Sequence, residues 1–325
     1  LYGRIIYNKA PIMMRQLEYL LGEEAFQQGI QEYIKTYQNS NADWNELVSI
    51  LDKKSAGDIK NWSDVWVNSS GRPIFYEEIE LNEKGNVTKF VIHQKAEDGS
   101  DKIWTQSFRI QLKDERGYVK NINIKNMGKS FDITSATKDF KPGQVVYNTN
   151  GFGYGVFPIY KDKIDSYKNI KDEVSRGYQY INLYENMLIG EITPLETYNV
   201  YLEAIQKEEN ELITGYLSGR IQNIFWTFLN EEEQKDIQNR TETTIFNLLE
   251  SELPKNINRT LFGLYQSVAF SEVGTSNLYE IWSKKKNIEN LFLNENDYTS
   301  LAMKLALFKH TKAIEILEEQ QTRIS

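Results

Sequence analysis

The sequence predicts an α+β multidomain protein in which helices come first, an antiparallel β-sandwich follows, and an α-helical array of stacked antiparallel helices closes the chain. Two observations carry this. Apolar residues recur at helical spacing to about residue 72, at a period of two across 73–158, and again at helical spacing across 159–325. At 325 residues the chain is also too long for one hydrophobic core. The expected domains are therefore 1–72, 73–158 and 159–325.

In the first segment, Met13, Leu17, Leu20 and Leu21 fall on one helical face, and Gly22 is suited to close that helix. Phe26, Ile30, Tyr33 and Ile34 mark a second helix. Asp43 is the expected N-cap of a third, ahead of Trp44, Leu47, Ile50 and Leu51. "DIKNWSDVWVNSSGRP" adds a short aromatic helix before a Ser-Gly-Pro break. In the second segment "WTQSFRIQL" alternates, with Trp104, Phe108, Ile110 and Leu112 on one face. "IFYEEIEL", "VTKFVIHQ", "YVKNINI", "SFDITS" and "QVVYN" are further strands, joined by Gly/Asp/Asn-rich turns. Short strands without intervening helices suit a sandwich. Roughly eight helices follow Pro158, with no fixed-period repeat.

Composition narrows the function classes. Hydrophobic residues make up 40% and charged residues 26%, as in a soluble globular chain. A formal net charge of −8 repels phosphate backbones, so no nucleic-acid partner is expected. No run approaches the roughly 20 apolar residues of a membrane span. The absence of cysteine excludes disulfides and thiolate metal sites but fixes no compartment. Leu1-Tyr2-Gly3 reads as an interrupted start, upstream of which an export signal could lie. Ser325 follows a helical pattern with no stop residue, so the third domain reads as incomplete.

Candidate chemistry is sparse. His93 lies in a strand and His310 between two helical stretches, neither has a second histidine at i+3 or i+4, and no His-Glu-x-x-His occurs. A structural or solvent role suits both, and no metal site is expected in this chain. "NTNGFGYGVFP" has the glycines of a phosphate loop but lacks the third fingerprint glycine and does not open a helix. A tight turn fits it better. "WSKKKN" reads as a solvated helix end and "NEEEQKD" as a helix start. Tyr7 is either a half-buried aromatic with a structural partner or a functional phenol. Asn8 can cap the coming helix, with Pro11 in its first turn. Tyr7 would then stand just outside the helix mouth, able to donate a hydrogen bond to an oxyanion.

One stretch is more specific. Tyr7 and Lys9, Leu21-Gly22, then Phe26, Gly29 and Tyr33, then Trp66, Gly71 and Pro73 follow a long ordered pattern. That pattern resembles the region downstream of the zinc site in the aminopeptidase N family of gluzincins. More loosely, "VIHQKAE", "WTQSFRIQL", "VVYNTNGFGYGVFPIY" and the C-terminal helices are similar to the family's later domains. One departure is Ala10, where the family has glycine.

The resemblance implies that 1–72 is the helical C-terminal part of a thermolysin-like catalytic domain. It implies a parent that is a zinc-dependent aminopeptidase, releasing N-terminal residues from peptide substrates by metal-activated water. The zinc ligands and the family's amine-binding Gly-x-Met-Glu-Asn segment are not in this sequence, so the chain alone is expected to be inactive. Only Tyr7 maps onto a catalytic position, where the resemblance makes it the oxyanion stabiliser. The rival expectations are a non-catalytic scaffold of the same architecture and a helical module that binds basic partners. The compartment reading leans to a bacterial periplasm or cell envelope, with the cytoplasm as the alternative. Oligomeric state is left open.

Overall fold

A computed structural model describes the backbone of residues 4–324 except 56, 115 and 139, and side chains from residue 9 onward except those three and 142. The chain is α+β and divides into two compact units, 1–186 and 187–325. The boundaries expected near 72 and 158 both fall inside the first unit.

The first unit opens with α1 (Arg4–Leu21), α2 (Glu23–Tyr37), α3 (Trp44–Asp52) and α4 (Ile59–Ser63), which runs into a π-helical turn at Asp64–Asn68. Asp43 caps α3 as expected. Its carboxylate accepts from the amides of Asn45 and Glu46, and Glu46 reaches back to the Asp43 amide in a full capping box. Met13 and Leu17 of α1 bury into a cluster with Leu47, Leu51, Trp62, Trp66 and Trp104, while Leu20 and Leu21 pack on its margin.

The start of α1 departs from expectation. The helix runs from Arg4, so Tyr7 and Asn8 lie within it and Asn8 is no cap. Pro11 is interior rather than in the first turn. Proline has no N–H to offer the carbonyl four residues back, which here is that of Tyr7.

Six strands follow, at the six segments whose alternation predicted them: β1 (Pro73–Leu81), β2 (Val87–Ala96), β3 (Gln106–Asp114), β4 (Val119–Met127), β5 (Ser130–Asp132) and β6 (Pro142–Val146). A single helical turn, α5 (Thr134–Thr137), separates β5 from β6. They form two antiparallel three-stranded sheets, ordered β1-β2-β5 and β4-β3-β6. Phe75, Phe90 and Ile92 of the first sheet share one apolar core with Phe108, Ile110, Leu112, Ile124 and Val145 of the second. Trp104, expected to share the face of Phe108, precedes β3 and belongs to the helical cluster instead.

Polar side chains, rather than further strands, hold the rest of this unit together. Five primary amides, each 2% exposed or less, grip the backbone of a distant residue through both its N–H and its C=O. Gln16 of α1 accepts from the Ser107 amide at 2.7 Å and donates to the Ser107 carbonyl at 2.7 Å and that of Phe152 at 2.6 Å. Gln94 does the same with Trp104, Gln106 with Tyr154, Asn148 with Gly153, and Asn182 with Phe157. An amide suits this task because it carries one acceptor and one donor side by side, as a neighbouring strand does.

Four of these five contacts fall on or frame the segment Asn148–Phe157. Gly151 completes a turn by donating its N–H to the Asn148 carbonyl at 2.9 Å. Gly155 has φ +135°, and a Cβ there would meet the Pro73 carbonyl oxygen at 2.6 Å. Close backbone approach explains its lack of a side chain. Phe157 then stacks on Phe75 at 4.3 Å between centroids, and a 3-10 stretch at Lys161–Asn169 leads to α6 (Glu173–Leu188).

The second unit continues with α7 (Pro194–Ala204), α8 (Glu211–Thr227), α9 (Glu231–Leu249), α10 (Lys255–Val268), α11 (Glu272–Trp282), α12 (Glu295–Leu307) and α13 (Ala313–Ile324). Helix α8 packs on α7 and α10, α9 on α10, and α12 on both α11 and α13. Capping boxes at Thr193/Glu196, Asn230/Glu233 and Asn294/Asp297 set three of the helix starts, and Glu231, Glu232 and Glu233 lie in the first turn of α9. No described helix is long and apolar enough to cross a membrane.

Two outcomes follow from the amide clamps and the glycine. Gln16→Leu keeps the volume but strands three buried backbone groups, and should destabilise the first unit by about 2–3 kcal/mol, read from urea unfolding. Gly155→Ala forces a Cβ into backbone at a positive φ and should cost about 3 kcal/mol or more in the same assay.

Candidate functional site

The residues that resemble a functional family converge on α1 and its surroundings. Tyr7 lies on the first two turns of α1, and its side chain is outside the described residues. Two residues on, Lys9 is half-buried with its Nζ 5.1 Å from the centre of the Tyr154 ring. Burial lowers the Lys9 pKa from its ordinary value. The Tyr154 ring tilts against Trp66 at 5.6 Å, and its hydroxyl, whose pKa burial raises, donates to the Gly71 carbonyl at 3.4 Å.

The later members of the ordered pattern meet at the same place. Trp66 and Trp62 both donate their indole N–H to the Thr105 carbonyl, at 3.2 and 3.1 Å. Gly71 holds φ +102° beside Trp104, where a side chain is disfavoured. Arg72 forks onto Glu97 with two bonds of 2.9 Å and also pairs with Glu185. Pro73 accepts the Val156 amide on its carbonyl at 3.0 Å. The spacing of Lys9, Trp66, Gly71 and Pro73 is thus the sequence trace of one packed neighbourhood.

Other candidates stay apart from it. His93 stacks on Tyr76 at 5.0 Å and faces Glu78 at 3.4 Å. His310, in the second unit, stacks on Tyr279 at 5.0 Å, with its pKa lowered by burial and by Lys312. Glu77 takes the hydroxyls of both Tyr147 and Tyr160. Burial first and the Glu77 charge second push both phenols well above their ordinary pKa, so they serve as structural donors. Among the described residues no cluster of three or more His, Asp or Glu could hold a metal ion.

Residues 1–68 match the Peptidase family M1 domain. Over 95 residues the chain is 36% identical to aminopeptidase N of Streptomyces lividans, a match covering 29% of this chain and 11% of that protein. In this stretch the chain is similar to the M1 aminopeptidases. It is also 24% identical over 217 residues to probable aminopeptidase 2 of Sulfurisphaera tokodaii, covering 67% of this chain and 26% of that one. The chain thus aligns with only about a tenth to a quarter of the length of these M1 relatives. In fold it is similar to the aminopeptidase A of Legionella pneumophila solved in complex with aspartic acid. That likeness has a TM-score of 0.59 at 14% identity and covers 98% of this chain and 41% of that one.

Sequence reasoning missed two residues that shape this M1 neighbourhood. Gln16 stands at i+3 from Met13 and i−4 from Leu20, squarely on the apolar face, and a polar residue there is a signal of a buried clamp. Lys9 is legible in the sequence only as a member of the ordered pattern, since nothing local marks its partial burial beside Tyr154.

The lowered Lys9 pKa sets a pH dependence. The folded chain binds fewer protons at Lys9 than the unfolded chain, so the cost of burying its charge is present in full below the folded pKa. That cost fades as pH rises toward the unfolded value of 10.5, and stability rises through that window. Lys9→Met removes the cost, so its stability gain over the parent should be largest near pH 7 and shrink toward pH 10.5 in urea titrations.

Proposed function

We propose that this chain is the part of a zinc-dependent M1 aminopeptidase that carries its oxyanion donor, Tyr7, and that the whole protein removes N-terminal residues from peptides. The observation that supports this most directly is the match of residues 1–68 to the M1 domain, because it contains Tyr7. The two sheets are then the β-sandwich of such an enzyme, and the helices of the second unit its helical array.

In this reading the work of the chain is positioning. A phenol that donates to a developing oxyanion stabilises the transition state only if it is held in place beforehand. Helix α1 carries Tyr7, and Gln16 ties α1 to β3 and to the Phe152 carbonyl about 13 Å further along the helix axis. Met13 and Leu17 add an apolar seat.

The test is release of arylamine from aminoacyl-arylamides by a protein that includes the complete M1 domain. Tyr7→Phe should lower kcat by about 10²–10³-fold with zinc content unchanged. Turnover close to the parent's would remove Tyr7 from the mechanism. The 325-residue chain alone should show no hydrolysis, and zinc-dependent activity from it would overturn the proposal.

A further inference from the structure

The outer face of the sheet β4-β3-β6 forms the floor of a groove of about 1350 Å³. One wall is α1, with Pro11, Ile12 and Arg15, and Phe152 beside it. The other is the stretch from Ser166 to Ser175. Four cations come to it from three separate parts of the chain: Arg15 from α1, Arg109 and Lys113 from β3, and Lys171 from the second wall. Only one carboxylate, that of Asp172, lines it, and that group already accepts the Ser175 amide at 2.7 Å.

The cations are not spent on the protein's own acids. Among the described residues none of the four has a carboxylate within ion-pair distance. Arg109 donates to the amide oxygen of Asn123 at 3.1 Å, and Arg15 lies over the Phe152 ring at 4.8 Å. In a chain of net charge −8, a groove with four unpaired cations and one acid attracts anionic ligands and repels basic ones.

The floor narrows the choice of ligand. Gln111 and Asn121 lie side by side, paired by one bond at 3.2 Å that leaves an acceptor on Gln111 and a donor on Asn121. Gln144 lies across from Lys113 and donates to the Ser166 hydroxyl at 3.2 Å, and Ile12, Val119 and Val174 add apolar surface. Amides that present both donor and acceptor match a peptide backbone, whereas a phosphodiester backbone offers acceptors only. The same molecule already binds its own backbone in this way at five places. We propose that this groove docks an extended acidic peptide segment, its carboxylates on Arg15, Arg109, Lys113 and Lys171 and its backbone on the amide floor. This stands apart from the peptidase reading: it shares α1 and Phe152 with it as a wall, but none of its ligand contacts involves Tyr7 or Gln16.

The test is fluorescence anisotropy of a fluorescein-labelled decapeptide alternating glutamate with alanine, titrated with the 325-residue chain. Saturable binding that weakens with salt is expected, as is a loss of at least about 10-fold in Arg109→Glu/Lys113→Glu. Arg109→Gln/Lys113→Gln should fall between the two, and it decides the matter if the glutamate pair unfolds by circular dichroism. Lys207→Glu/Lys235→Glu, with the same change of net charge in the second unit, should bind as the parent does. Absence of saturable binding, equal loss in both glutamate pairs, or equal binding of a lysine–alanine decapeptide would overturn the proposal. Competition by a thymidine decamer at the same concentration as the peptide would mark the groove as a general polyanion site and likewise overturn it.

Discussion

The first unit depends on side-chain amides that take the place of strands. Two three-stranded sheets, a helical lead-in and an irregular exit segment leave many backbone groups facing the interior with no strand beside them. Each such group costs about 1–3 kcal/mol if left without a partner. Gln16, Gln94, Gln106, Asn148 and Asn182 meet that demand in pairs, one donor and one acceptor to a residue. Because each amide is planar and engages both its N–H and its C=O, it fixes register as well as satisfying groups.

This arrangement explains why the Gly-rich segment looks like a nucleotide loop and is not one. Gly155 is there because the chain passes within contact of Pro73, and Gly153 because Asn148 grips its backbone and Phe157 lies against it. Glycine serves a close approach of backbone to backbone here, as it does at a phosphate site, but the partner is the protein itself. The M1 pattern has a parallel meaning. Its tryptophan and glycine are packing residues around Tyr154.

Electrostatics adds a layer that composition hides. An overall charge of −8 describes a surface that repels anions, and on average it does. Yet Arg15, Arg109, Lys113 and Lys171 meet over an amide floor with a single acid among them. Local fields follow the arrangement of charges within about a Debye length, roughly 8–10 Å in ordinary salt, so a sum over the chain says little about a groove.

By itself the sequence determined the type and order of the elements, the cap at Asp43, the six strands and the resemblance to M1 aminopeptidases. These are local properties: periodicity, capping and motif spacing act over a few residues and survive without knowledge of the fold. Tertiary structure decided the rest. It placed the start of α1 before Tyr7 rather than after it, sent Trp104 to the helical cluster, and buried the amine of Lys9. It also brought Gln16 to Ser107 and Phe152, 91 and 136 residues away. No window of sequence contains such contacts, because they exist only once chain closure has brought the distant backbone within hydrogen-bonding range.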